Sequence, residues 1–115
     1  MPHALIIEDD VAVSSIIEER LSEYGFSSFA HAWTRDDAER SARFKRPDLV
    51  IVCDILDARW GIGAAQAISE RHGAPALLVT ADSALLKKCL PPGCSLGGPF
   101  LMPELQSAIA AARPS

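Results

Sequence analysis

Apolar residues along the chain fall in short blocks, and two periods alternate between them. Ala4–Ile7 is an unbroken apolar run with acids at its end, and Leu49–Cys53 and Ala76–Thr80 are similar runs. Continuous runs of this length read as strands buried on both faces of a parallel sheet. Between them the spacing becomes helical. Apolar residues at 13, 16, 17 and 21 form one stripe over Val11–Tyr24, which Gly25 stops. Phe26–Ala32 reads as a second strand. Thr34 followed by Asp37 resembles a capping box with the carboxylate one carbon short, opening a helix over Arg35–Lys45 that Pro47 ends. Ile62–Arg71 is a further helix, stopped by Gly73. Ser83–Leu90 is a short helix ended by Pro91-Pro92, Cys94–Gly97 a weak fifth strand, and Pro103–Ala112 a helix with proline in its first turn.

Strands alternating with helices at this spacing predict an α/β fold with a doubly wound parallel sheet. Right-handed crossovers then place helices on both faces. The 115 residues suit a single domain spanning 1–115. In such sheets the site lies at the carboxyl ends of the strands. That rule selects Glu8, Asp9 and Asp10, then Cys53 and Asp54, then Thr80 and Ala81, then the stretch Gly97-Gly98-Pro99-Phe100.

Composition narrows the function classes. Net charge is −4, and the densest basic stretch, Arg43 to Arg46, reads as the solvated end of a helix, so nucleic-acid binding by this domain is not expected. No apolar stretch is long enough to span a membrane, and the N-terminus lacks the pattern of a signal peptide. The three cysteines, Cys53, Cys89 and Cys94, have no CxxC spacing, so neither a disulfide scaffold nor a zinc site is expected and a reducing cytoplasm is the expected location.

The acids at the first strand's end carry the chemistry. Carboxylates gathered at one point repel each other unless a hard cation bridges them, and Mg²⁺ takes oxygen ligands and keeps several waters. A further carboxylate nearby can accept a phosphoryl group, whose oxygens then need positive charge and donors. The Thr80 hydroxyl, at the end of the fourth strand, suits that role. The plainer alternative for Glu8-Asp9-Asp10 is a solvated turn with acids favourably placed at a helix N-terminus.

With these residues in place the chain resembles the receiver domain of two-component response regulators from end to end. ALIIEDD resembles that family's first strand with its acidic pair, and AWTRDDAERSARFKRPDLVIV its second helix and third strand. PALLVTAD resembles its fourth strand, and GPFLMPELQSAI its KPF-x-x-x-EL-x-x-x-I ending. The resemblance implies a flavodoxin-like (βα)5 fold with strand order 2-1-3-4-5. It also implies Mg²⁺-dependent phosphoryl transfer from a histidine kinase to an aspartate. Glu8 and Asp9 match the metal-binding pair, Asp54 is the candidate phosphoacceptor and third metal ligand, and Thr80 matches the switch hydroxyl. A haloacid-dehalogenase-like phosphotransferase needs DxD, which Asp54-Ile55-Leu56-Asp57 does not supply, so an enzyme is not expected.

Two positions depart from the family pattern. Counting forward from Pro47 and back from Gly61 both put Cys53 in the acceptor slot, with Asp54 one residue late. Adjacent strand residues face opposite sides, so Asp54 reaches the site only if a bulge resets the register. The second departure is Gly98, which stands where the lysine of KPF is expected and offers no ammonium. Ser95 replaces an aromatic, and the segment from Thr80 to Gly98 is about four residues short. These departures imply a degenerate receiver acting through protein contacts, with weak or no phosphorylation. Its partner would be a histidine kinase, a downstream effector or a second copy of the chain. Its surface would be built from Leu85, Leu86, Leu96, Phe100 and Leu101. The alternative is a conventional receiver phosphorylated on Asp54. His3, His31 and His72 read as surface or strand-end residues, Trp33 as packed at the second strand's end, and Trp60 as lying in the loop beside the site.

Overall fold

The structure is a computed structural model that describes residues 2–8, 10–53, 59–80, 97–101 and 104–112, with backbone alone at Cys53, Arg59, Trp60, Thr80, 97–101, Gln106 and 111–112. Its elements run β1 (His3–Ile7), α1 (Val11–Glu23), β2 (Ser28–Ala32), α2 (Arg35–Phe44), β3 (Leu49–Cys53), α3 (Arg59–His72), β4 (Ala76–Thr80), β5 (Gly97–Leu101) and α4 (Leu105–Ala112). The five strands form one sheet in the order β2-β1-β3-β4-β5, and every pair is parallel. This is the doubly wound parallel sheet expected from the alternation of elements, in the flavodoxin-like order that the resemblance implies. The helix expected at 83–90 and the surface expected around Leu85 and Leu86 lie outside the described residues.

The strand alternation divides the core in two. Leu5, Ile7, Val50, Val52 and Leu78 pack with Ala38 and Ala42 of α2 and with Ile62, Ala65 and Ile68 of α3. Their neighbours Ala4, Ile6, Leu49, Ile51, Leu77 and Val79 pack on the other face with Ile17 and Leu21 of α1 and with Leu105 and Ile109 of α4. Both faces of β1, β3 and β4 are therefore dry, which is why those strands read as unbroken apolar runs.

The helix ends use the signals seen in the sequence. The Thr34 hydroxyl accepts from the Asp37 amide at 3.1 Å. At the far end of α1, Gly25 takes a φ of +96°, and the Phe26 amide donates back to the Leu21 carbonyl at 3.1 Å. This is a Schellman-type ending that only glycine enters at low cost.

Three expectations need correction. β5 runs from Gly97 to Leu101, not over 94–97, so Gly98-Pro99-Phe100 lies within the strand rather than beyond it. From Leu77 to Val79 on β4 is two steps, while their partners Gly97 and Phe100 are three apart, so β5 carries one extra residue. A bulge in an edge strand accommodates a proline that has no N–H to give. Trp60 lies in the first turn of α3, not in a loop, because α3 begins at Arg59 and not at 62. Trp33 is 58% exposed rather than packed. His3, read as a surface or strand-end residue, is the first residue of β1 and only 4% exposed.

Candidate functional site

The carboxyl ends of β1, β3 and β4 lie side by side at the middle of the sheet. Ile7 is in register with Val52, and Glu8 and Cys53 each follow by one residue. Cys53 is in register with Val79, and Thr80 follows by one and pairs with Leu101 of β5. Neighbouring strands are about 4.8 Å apart, so the ends of β1 and β4 are separated by two such spacings, roughly 10 Å. The backbone thus brings Glu8, Cys53 and Thr80 to one edge, with β5 and its Gly98-bearing bulge next to it.

Among the described side chains there, Glu8 is buried, at 2% exposed. Its amide donates to the Ala32 carbonyl at 3.2 Å, which extends the β1–β2 pairing by one step. Its Oε1 accepts from the Asp10 amide at 3.1 Å. Asp10 has a different task. It is the N-cap of α1, and its Oδ1 accepts from the Ala12 amide at 2.9 Å and the Val13 amide at 3.3 Å. Of the three consecutive acids, then, the last secures the helix and the first is folded into the strand end. Asp9 and Asp54 lie outside the described residues, as do the side chains of Cys53 and Thr80. Among the described residues no group of three His, Cys, Asp or Glu side chains is placed to hold a metal ion.

Gly61, two residues into α3, lies against the same strand ends. A Cβ there would stand 3.4 Å from Val52 Cγ1 and 3.5 Å from Ile7 Cγ2, contact distance with both. The glycine therefore lets the start of α3 come down close upon β1 and β3.

Comparison with known proteins follows this geometry. The chain is 34% identical over 79 residues to the transcriptional regulatory protein PdtaR of Mycobacterium tuberculosis, a match covering 69% of this chain and 38% of that protein. The chain thus matches well under half of that curated relative's length. Among solved structures, the chemotaxis protein CheY4 of Vibrio cholerae superposes with a TM-score of 0.78 at 18% identity, over 98% of this chain and 99% of that one. A two-component response regulator of the LuxR family from Aurantimonas sp. does so with a TM-score of 0.74 at 25% identity, over 95% of this chain and 82% of that one. The chain is a response regulator receiver domain. No family model matches it. Among the described residues of this receiver domain, no helix is long and apolar enough to cross a membrane.

At the opposite end of the sheet the receiver domain has a polar cluster that sequence reasoning missed. The His3 amide donates to Asp48 Oδ2 at 2.8 Å, and the Asp48 amide returns a bond to the His3 carbonyl at 2.7 Å. His3 Nδ1 meets Ser28 Oγ at 2.8 Å, and Lys45 Nζ donates to the same oxygen at 2.8 Å. Burial, with the Lys45 charge adding to it, holds the His3 pKa below its ordinary 6.5, although Ser28 and Asp48 pull it upward. No local motif marks this cluster. His3, Ser28, Lys45 and Asp48 meet only because parallel pairing brings the starts of β1, β2 and β3 together.

Proposed function

We propose that this receiver domain works in two-component signalling chiefly as a protein-interaction module, with weak or no aspartyl phosphorylation. One observation carries the reading: Gly98, within β5, stands where the lysine of KPF is expected. Glycine offers no ammonium to an acyl phosphate. A hydrogen bond to a charged group contributes about 1.5–3 kcal/mol, so its loss weakens the phosphorylated state by about tenfold to a hundredfold. Cys53 as the terminal residue of β3 supports the same reading, since a thiol in the acceptor slot forms no acyl phosphate.

The donor set still suits a hard cation in kind. Glu8 is a buried carboxylate at the strand end, and Asp9 and Asp54 are the other candidate ligands. Mg²⁺ bound there supplies charge to draw in the oxygens of a phosphoryl donor. The buried Glu8 is also what favours the second reading, a conventional receiver phosphorylated on Asp54. The proposed partner is a protein, either a histidine kinase, a downstream effector or a second copy of the chain. Neither nucleic acid nor catalysis is assigned to this domain, and the cytoplasm is its proposed location.

Incubation with acetyl phosphate and Mg²⁺, read by intact-mass spectrometry, tests this. A minor modified fraction is expected, rising when Gly98→Lys restores the ammonium. Stoichiometric phosphorylation of the unaltered chain at Asp54 establishes the conventional reading instead.

A further inference from the structure

The outer edge of β2 borders a groove of about 410 Å³ between that strand and the end of α2. Ser28, Phe29 and Ala30 line it in succession. Consecutive strand residues face opposite sides of a sheet, so the groove follows the strand's edge rather than either face. Beside it stands Phe44, the last residue of α2, which is 91% exposed and covered by no described part of the chain. Arg40 and Lys45 supply the charge of its walls. Lys45 is in no ion pair among the described residues, and its ammonium donates to the neutral Ser28 hydroxyl. Among the described residues Arg40 meets only Asp37, at 3.4 Å and on the surface. A chain of net charge −4 therefore sets Arg40 and Lys45 beside an exposed aromatic and an open strand edge.

We propose that the β2 edge binds an extended acidic segment of a partner protein, which pairs its backbone with Ser28–Ala32, rests an apolar side chain on Phe44 and sets carboxylates against Arg40 and Lys45. An unpaired edge supplies backbone donors and acceptors, and alternate side chains of an added strand supply specificity. The charges oppose self-pairing through this edge, since a two-fold contact sets the same basic patch against itself. The groove is also separate from the candidate phosphoryl site. It lies beside His3, five residues along β1 from Glu8, which is roughly 16 Å of strand.

Fluorescence anisotropy of the whole chain with a labelled peptide alternating glutamate and valine tests the proposal. Saturable binding is expected, stronger than to the same peptide with lysine for glutamate. Lys45→Met and Arg40→Met together should weaken it by about tenfold, and Phe44→Ala by about fivefold. All three side chains are exposed, so melting curves should be unchanged. A peptide methylated on alternate backbone nitrogens should fail to bind. Equal binding of the methylated or the lysine peptide overturns the proposal. So does complete displacement by benzoate, which marks a small-anion site, or a chain dimer that Lys45→Met dissociates, which marks a second copy as the occupant. None of these outcomes depends on whether Asp54 is phosphorylated.

Discussion

Each end of β1 buries one polar side chain, and the two are held in opposite ways. At the carboxyl end Glu8 sits 2% exposed against a backbone amide at the start of α1. At the amino end His3 sits 4% exposed in a web of side chains drawn from β2, α2 and the turn before β3. The difference follows from the parallel topology. Every strand-to-helix unit turns its helix N-termini toward the carboxyl edge and its C-termini toward the amino edge, and the helix dipole favours anions at the first and cations at the second. Asp10, Asp36 and Asp37 lie at helix starts, while Arg43, Lys45, Arg71 and His72 lie at helix ends. These acids thus lie toward the carboxyl edge of the sheet and these bases toward the amino edge.

Asp48→Ala should have the largest effect on this contrast. It removes the carboxylate that receives the His3 amide, a charge-assisted bond worth about 1.5 kcal/mol at a partly open site. Urea unfolding should show that loss, while Mg²⁺ affinity at the opposite edge stays unchanged. A drop in Mg²⁺ affinity to match would show that the two edges are coupled through β1.

Asp10→Ala works from the other side. It removes the N-cap of α1, at a cost of about 1 kcal/mol. Asp10→Asn keeps the cap and should recover most of that stability, measured by thermal melting. No recovery would mean that the charge of Asp10, not its hydrogen bonds, matters at this edge.

The smallest effect concerns pH. His3 has a folded pKa below its unfolded 6.5, so the unfolded chain takes up the proton more readily. Stability from this group is intact above pH 6.5 and falls as the pH drops from there toward the lower folded value. Urea midpoints at pH 7.5 and 5.5 should show the decline. It should shrink in Lys45→Met, which removes one cause of the lowered pKa, and vanish in His3→Gln.

Much of this molecule was legible in its patterns. The runs at 4–7, 49–53 and 76–80 are strands, because a parallel sheet covered on both faces demands unbroken apolar stretches. Gly25 and Gly73 end helices with positive φ, as their places after helical stripes foretold. The carboxyl edge was legible too, since the sheet rule needs only the order of elements. Residues whose setting depends on distant parts of the chain were not. Trp33 was expected to pack at the second strand's end, yet it is 58% exposed. His3 was read as a surface or strand-end residue; it does begin β1, but its bonds to Ser28 and Asp48 could not be read from its neighbours. Pro99 was placed after the fifth strand, yet it lies within β5, an edge strand whose bulge tolerates a missing donor.

What the sequence by itself determined was the alternation of strand and helix, the parallel doubly wound class, and the placing of Glu8 and Cys53 at strand ends. These depend on neighbours within a few residues, where period and capping chemistry act. The tertiary structure alone decided which polar groups meet across the sheet and which stay in water. Ser28, Lys45 and Asp48 converge on His3 from 25 to 45 residues away, and the edge left open along β2 exists only once the order of the strands is set. Hydrogen bonding and exclusion of water act through space, and sequence separation carries no record of them.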